Sequence, residues 1–64
     1  MLELIKINEE IVGYCKSYYQ DKKHKTLNFN IYDATLNGST LTIPFFIIKS
    51  LKKIDGKIEL FLKY

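Results

Sequence analysis

The 64-residue sequence contains no Arg and no Trp, and it has one Cys, one His, one Pro and three isolated Gly. Each shortage removes something. A single cysteine, Cys15, closes no intramolecular disulfide, and no cysteine cluster can hold a metal within one chain. Small secreted domains reinforce thin cores with several disulfides, so their absence favours a reducing, cytoplasmic setting. Gly13, Gly38 and Gly56 stand apart, which excludes phosphate-cradling loops of the P-loop or dinucleotide type. The longest apolar run, Ile43 to Ile48, falls far short of the about 20 residues of a membrane-spanning helix. Residues 1–6 lack the basic and apolar regions of a signal peptide. Without Arg the chain lacks the planar fork that supplies bidentate guanine readout, whereas Lys acts as a point charge.

What is present is the composition of a folded protein. The chain is 47% hydrophobic and 14% aromatic, too apolar to stay disordered. Its length allows one domain, residues 1–64. A domain of this size buries only about 60% of the surface its unfolded chain exposes. Self-association into a dimer or larger homo-oligomer is the expected reinforcement.

Leu2 to Ile7 reads as a strand. In residues 27–32, Leu27, Phe29 and Ile31 alternate with Asn28, Asn30 and Tyr32, the period of a half-buried strand. Asn37-Gly38 fits a type I′ hairpin turn, which sets Ala34 opposite Leu41 and Tyr32 opposite Ile43. That register is out of phase with Leu27, Phe29 and Ile31, so a bulge near Tyr32-Asp33 is required. Pro44 suits the first turn of a helix, and Phe45, Ile47, Ile48, Leu51 and Ile54 fall near one helical face with lysines opposite. Lys57 to Tyr64 alternates again as a strand. Residues 11–20 admit two readings. As a helix they have Asn8 as N-cap and a stripe at Ile11, Val12, Cys15, Tyr18 and Tyr19. As a strand their β-branched and aromatic residues fit better, and Gly13 carries no helix penalty. The strand is preferred. The expected fold is therefore α+β, a mostly antiparallel sheet in the order β-β-β-β-α-β, and the alternative is the ferredoxin-like β-α-β-β-α-β.

Catalytic constellations are sparse. Cys15 and His24 could pair as nucleophile and base, but one Cys and one His read more simply as a small buried cysteine and a loop histidine. Glu9 and Glu10 are adjacent and would point to opposite faces of a strand. Asp33 and Asp55 sit where turns want Asp. No enzyme activity, metal or cofactor is expected.

Charge is more informative. Residues 1–21 carry two lysines against four carboxylates, a net of −2, whereas residues 22–64 carry eight lysines against three, a net of +5. Lys22, Lys23, Lys25, Lys49, Lys52 and Lys53 are the candidate phosphate contacts. On a strand, Val12, Tyr14, Lys16 and Tyr18 would share a face, making Tyr14 and Tyr18 candidates for stacking on bases. Solvated helix lysines and edge-protecting lysines give the same pattern for structural reasons.

A strand meander followed by Leu41-Thr42-Ile43-Pro44 and an amphipathic helix resembles the small single-stranded-DNA-binding coactivator folds. Those end at the helix, while this chain adds Lys57 to Tyr64, and no functional residue carries over. The reading that results is a small, basic, weakly sequence-specific nucleic-acid-binding module that contacts backbone phosphates. The alternative is an interaction or inhibitor module of a phage or mobile element that acts on a host protein. That reading rests on Phe61 on the polar side of the last strand, on Tyr64, and on strand edges open to β-augmentation.

Overall fold

A computed structural model describes residues 2–64. They form six strands and one short turn of 3₁₀ helix. The strands are β1 (Glu3–Ile7), β2 (Glu10–Asp21), β3 (Thr26–Tyr32), β4 (Gly38–Pro44), β5 (Ile48–Ile54) and β6 (Lys57–Leu62), and the 3₁₀ turn is Phe45–Ile47. They make one mixed sheet in the order β4-β3-β2-β1-β6-β5, in which only β1 and β6 run parallel.

β2 organises this sheet. Its first half, Glu10 to Cys15, pairs with β1, and its second half, Tyr14 to Asp21, pairs with β3. The two partners overlap only at Tyr14 and Cys15. Two residues bulge out of β2 around that point, Val12 opposite β1 and Lys16 opposite β3. Bulges bend a strand and sharpen its twist, and a strand that switches partners through a bulge forms the corner between two packed layers. Gly13 belongs to the same corner. Its φ is +145°, and a Cβ there would stand 2.8 Å from the Tyr32 carbonyl oxygen and 2.9 Å from Ile31 Cγ2.

The bend folds the sheet onto itself. β1 and β6 supply Ile5, Ile58 and Leu60 from one layer, and β3 and β4 supply Leu27, Phe29, Ile31 and Ile43 from the other, with Cys15 at the corner. A single flat sheet would leave one of its faces wet, yet Ile5, Phe29 and Leu60 are fully buried. No helix is needed to cover them.

Three expectations are corrected here. The helix over 45–54 does not form, nor does the ferredoxin-like alternative, so the α+β class gives way to a nearly all-β fold. Phe45 and Ile47 pack on the core from the 3₁₀ turn, and Ile48 and Leu51 do so from β5. Lys49 bulges between Ile48 and Ser50, which shifts the strand's alternation and produces the spacing that mimics a helix. The resemblance to coactivator folds loses its helix as well.

The third correction concerns the hairpin. Tyr32 pairs with Gly38, Phe29 with Leu41 and Leu27 with Ile43, with no bulge. Residues 33–37 form the loop. The Asp33 carboxylate accepts hydrogen bonds from Thr35 N (2.9 Å), Thr35 Oγ1 (2.7 Å) and Asn37 N (3.0 Å). The longer loop restores the phase that a tight Asn37-Gly38 turn would have broken. The two consecutive positive φ angles of a type I′ turn occur instead at Asn8 (49°) and Glu9 (70°), between β1 and β2. The strand readings for Leu2–Ile7, 11–20 and Lys57–Tyr64 correspond to β1, β2 and β6. No helix is long and apolar enough to cross a membrane among the described residues.

Candidate nucleic-acid interface

In a strand, side chains alternate between the two faces, and paired residues share a face. Phe29 is buried, so its partner Tyr18 also points inward. The two rings lie 5.5 Å apart between centroids, at 32°. Tyr14 pairs with Tyr32 and Leu4 and points outward. The Lys16 bulge therefore splits the expected Tyr14–Tyr18 pair. The aromatic that joins Tyr14 outside is Tyr19, 56% exposed; Tyr32 on β3 completes the set. Tyr32 lays the edge of its ring over Gly38, where a Cβ would come within 2.8 Å of Cε1.

The outward face of β2–β3–β4 can be read row by row from the register. One row is Tyr14, Tyr32 and Gly38, the next Ser17, Asn30 and Thr40, the next Tyr19, Asn28 and Thr42. Cross-strand hydrogen bonds hold the amides in place. Asn30 Nδ2 donates to Ser17 Oγ at 2.7 Å, and Thr42 Oγ1 donates to Asn28 Oδ1 at 2.7 Å. Asn28 is only 7% exposed, and its Nδ2 also donates to Thr26 Oγ1. These rows contain no charged residue. At about 3.3 Å per residue the three rows span about 13 Å.

Lysines border it. Lys22, Lys23 and Lys25 lie exposed in the β2–β3 turn at one end. The Lys25 carbonyl accepts a hydrogen bond from Phe45 N at 2.9 Å, and the Ile47 carbonyl accepts one from Lys63 N at 2.8 Å. The 3₁₀ turn thus joins that basic turn to Lys49 and Lys63. Phe46, in the same 3₁₀ turn, is 71% exposed. At the other end, Lys16 lines a shallow apolar recess of about 320 Å³ with Leu2, Tyr32 and Leu36.

The remaining candidates are placed elsewhere. Lys52 points outward on β5, directly opposite Glu59 of β6. Lys53 pairs with the buried Ile58 and turns inward at the mouth between the layers, where its Nζ is 3.2 Å from Glu3 Oε1. Phe61 is half-buried beside a small cavity lined with Lys6, Glu9 and Glu59. Tyr64 is exposed, and its carbonyl accepts a hydrogen bond from Asn8 Nδ2 at 3.1 Å. Sequence reasoning missed Tyr19, Tyr32 and Phe46. A bulge hid the first, the misplaced hairpin register the second, and the expected helix the third.

Cys15 and His24 are held apart. Cys15 is buried at the corner, where burial pushes its thiol up in pKa, and its Sγ donates to the Ser17 carbonyl. His24 sits in the exposed turn, beyond Asp21 at the end of β2, roughly 20 Å along the strand. Its Nδ1 is 2.7 Å from Asp21 Oδ2, and its backbone N–H donates to Asp21 Oδ1. The hydrogen bond with the His24 side chain holds the Asp21 carboxyl below its ordinary value. The one carboxylate next to the basic turn is thereby engaged locally. No protein-family model matches this chain, and neither a curated protein nor a solved structure does.

Proposed function

We propose that the chain is a non-enzymatic, single-stranded nucleic-acid-binding module, and that its binding surface is the outward face of β2–β3–β4. One observation carries this reading: tyrosines and oriented amides fill three successive rows that hold no charged side chain, the Lys22–Lys25 turn borders one end, and Lys16 shares a recess with Tyr32. Bases stack on exposed aromatic rings without regard to sequence, and lysines follow the phosphates. Tyr14, Tyr19 and Tyr32 supply the stacking surface. Lys22, Lys23, Lys25 and Lys49 supply cations at one end, and Lys16 supplies one beside Tyr32. Phe46 adds a further ring at the basic end. Lys52 and Lys53 drop out as phosphate contacts, since each stands beside a carboxylate.

With lysine as the only strong cation, binding is backbone-dominated, weakly sequence-specific and salt-sensitive. The test is fluorescence anisotropy with labelled single-stranded DNA, single-stranded RNA and duplex DNA at two salt concentrations. The expected result is binding that weakens with salt and favours single strands over duplex. An equal affinity for duplex would overturn the stacking role, and no binding at low salt would overturn the function.

A further inference from the structure

The sheet has two open edges, and they are not alike. β5 is guarded. It carries Lys49, Lys52 and Lys53, and Lys49 bulges. Lysines and bulges on an edge strand are the usual means of preventing two sheets from pairing edge to edge. β4 has neither. Its sequence, Gly-Ser-Thr-Leu-Thr-Ile-Pro, holds no charged residue, and all seven positions pair with β3 in unbroken register. In an antiparallel strand alternate residues direct their N–H and C=O groups to the same side, so about half of β4 points away from β3. Among the described residues none of those backbone groups from residues 38–43 bonds to another segment.

We infer that β4 is the seam of a homodimer, paired antiparallel with β4 of a second copy. The partner is a second copy because the edge is self-complementary. An antiparallel strand pair centred on Leu41 sets Thr40 of each copy opposite Thr42 of the other, and Thr–Thr is a favourable cross-strand pair. Pro44, which lacks an N–H, falls at the end of the seam where a missing donor costs least. The alternatives fit worse. Two β5 edges would bring three lysines against three lysines. A β4 edge on a β5 edge is a heterologous contact that leaves another open pair of edges and does not close, whereas a two-fold β4 seam closes at two copies. The seam is short, so the dimer is weak and concentration-dependent. It also joins the outward β2–β3–β4 faces of both copies into one surface. It does not depend on the nucleic-acid reading.

The test pairs light scattering after size-exclusion chromatography with hydrogen exchange on the unaltered protein across a concentration series. The expected result is a monomer–dimer equilibrium in which amides of residues 38–43 gain protection as concentration rises, while those of residues 48–54 do not. Thr40→Lys, which places a lysine from each copy on the seam, is expected to give a folded monomer. A strict monomer at every concentration overturns the proposal. So does a dimer whose concentration-dependent protection falls on β5 or elsewhere, whether or not the lysine variant folds.

Discussion

On the outer side of β1, β6 and β5, Lys6, Glu59 and Lys52 stand next to one another in a single cross-strand row. On the outer side of β2, β3 and β4, the rows hold Tyr, Asn, Ser and Thr, and the charges lie only at the borders. Both faces belong to one sheet with the same alternation, so folding alone does not explain the difference. The first arrangement is self-neutralising: opposite charges side by side stabilise the sheet modestly and leave little field beyond it. The second gathers lysines at the border of an aromatic surface, with Asp21 as the carboxylate beside them. The two faces differ in the placement of charge, which the net charge of +3 does not reveal.

The largest effect is expected at the corner that separates the two layers. Gly13→Ala puts a Cβ within 3 Å of Tyr32 O and Ile31 Cγ2, on a backbone at φ +145°. Strain and overpacking of this kind each cost about 1–3 kcal/mol. The whole domain has about 3–10 kcal/mol in hand. A thermal melt should show a large loss of stability, and both faces should fail together.

Next come the rings. Tyr14→Ala and Tyr32→Ala should each weaken single-strand binding roughly 5- to 150-fold, since stacking contributes about 1–3 kcal/mol per base. Phe61→Ala, on the other layer, should leave oligonucleotide affinity unchanged. Equal losses on both layers would erase the distinction between them.

A smaller effect separates the lysines. Replacing Lys22, Lys23 and Lys25 by Gln should lower the salt dependence of binding by about one unit of slope for each phosphate that is no longer neutralised. Replacing Lys6 and Lys52, which flank Glu59, should leave the slope where it was. Titrations across a salt series measure both.

The smallest effect is acid-dependent and local to the tyrosine face. Hydrogen bonding, first from the Thr35 hydroxyl and then from Asn37 N–H, holds the Asp33 carboxyl below its ordinary value. A carboxyl depressed in the folded state adds stability above its unfolded value, about 3.9. That contribution fades as pH falls through the folded value. Asp33→Asn should therefore lower the melting temperature slightly near neutral pH, and the gap should begin to narrow only as pH falls below about 4. A gap that stays constant with pH would remove the ionised carboxylate from the account.

Much of this was legible in the sequence, and the failures share one cause. The alternation of Leu27, Phe29 and Ile31 located β3, and the β-branched and aromatic character of residues 11–20 located β2. A bulge, however, converts a spacing of two into a spacing of three. In β2, Lys16 bulges, so Cys15 and Tyr18 both face inward; in β5, Lys49 bulges, so Ile48 and Leu51 do. An i, i+3 pair is also what a helix face looks like. The same ambiguity produced the expected helix over 45–54 and the mistaken Tyr14–Tyr18 pair. The type I′ turn escaped notice because Asn8-Glu9 lacks the glycine that usually marks it. The lysine clusters were visible, but their partners were not. Only the register shows that Lys53 meets Glu3 and Lys52 faces Glu59, while the Lys22–Lys25 turn borders a face without charge.

The claim that the outward β2–β3–β4 face is the binding surface is tested most directly by amide and side-chain chemical-shift mapping. The protein is titrated with a short single-stranded oligonucleotide at low salt. The account predicts that the largest shifts fall on Tyr14, Tyr19, Tyr32, Asn30 and Thr40 and on the bordering Lys22–Lys25 turn. Shifts centred on Lys6, Lys52, Glu59 and Phe61 would contradict it, as would a spectrum that does not change.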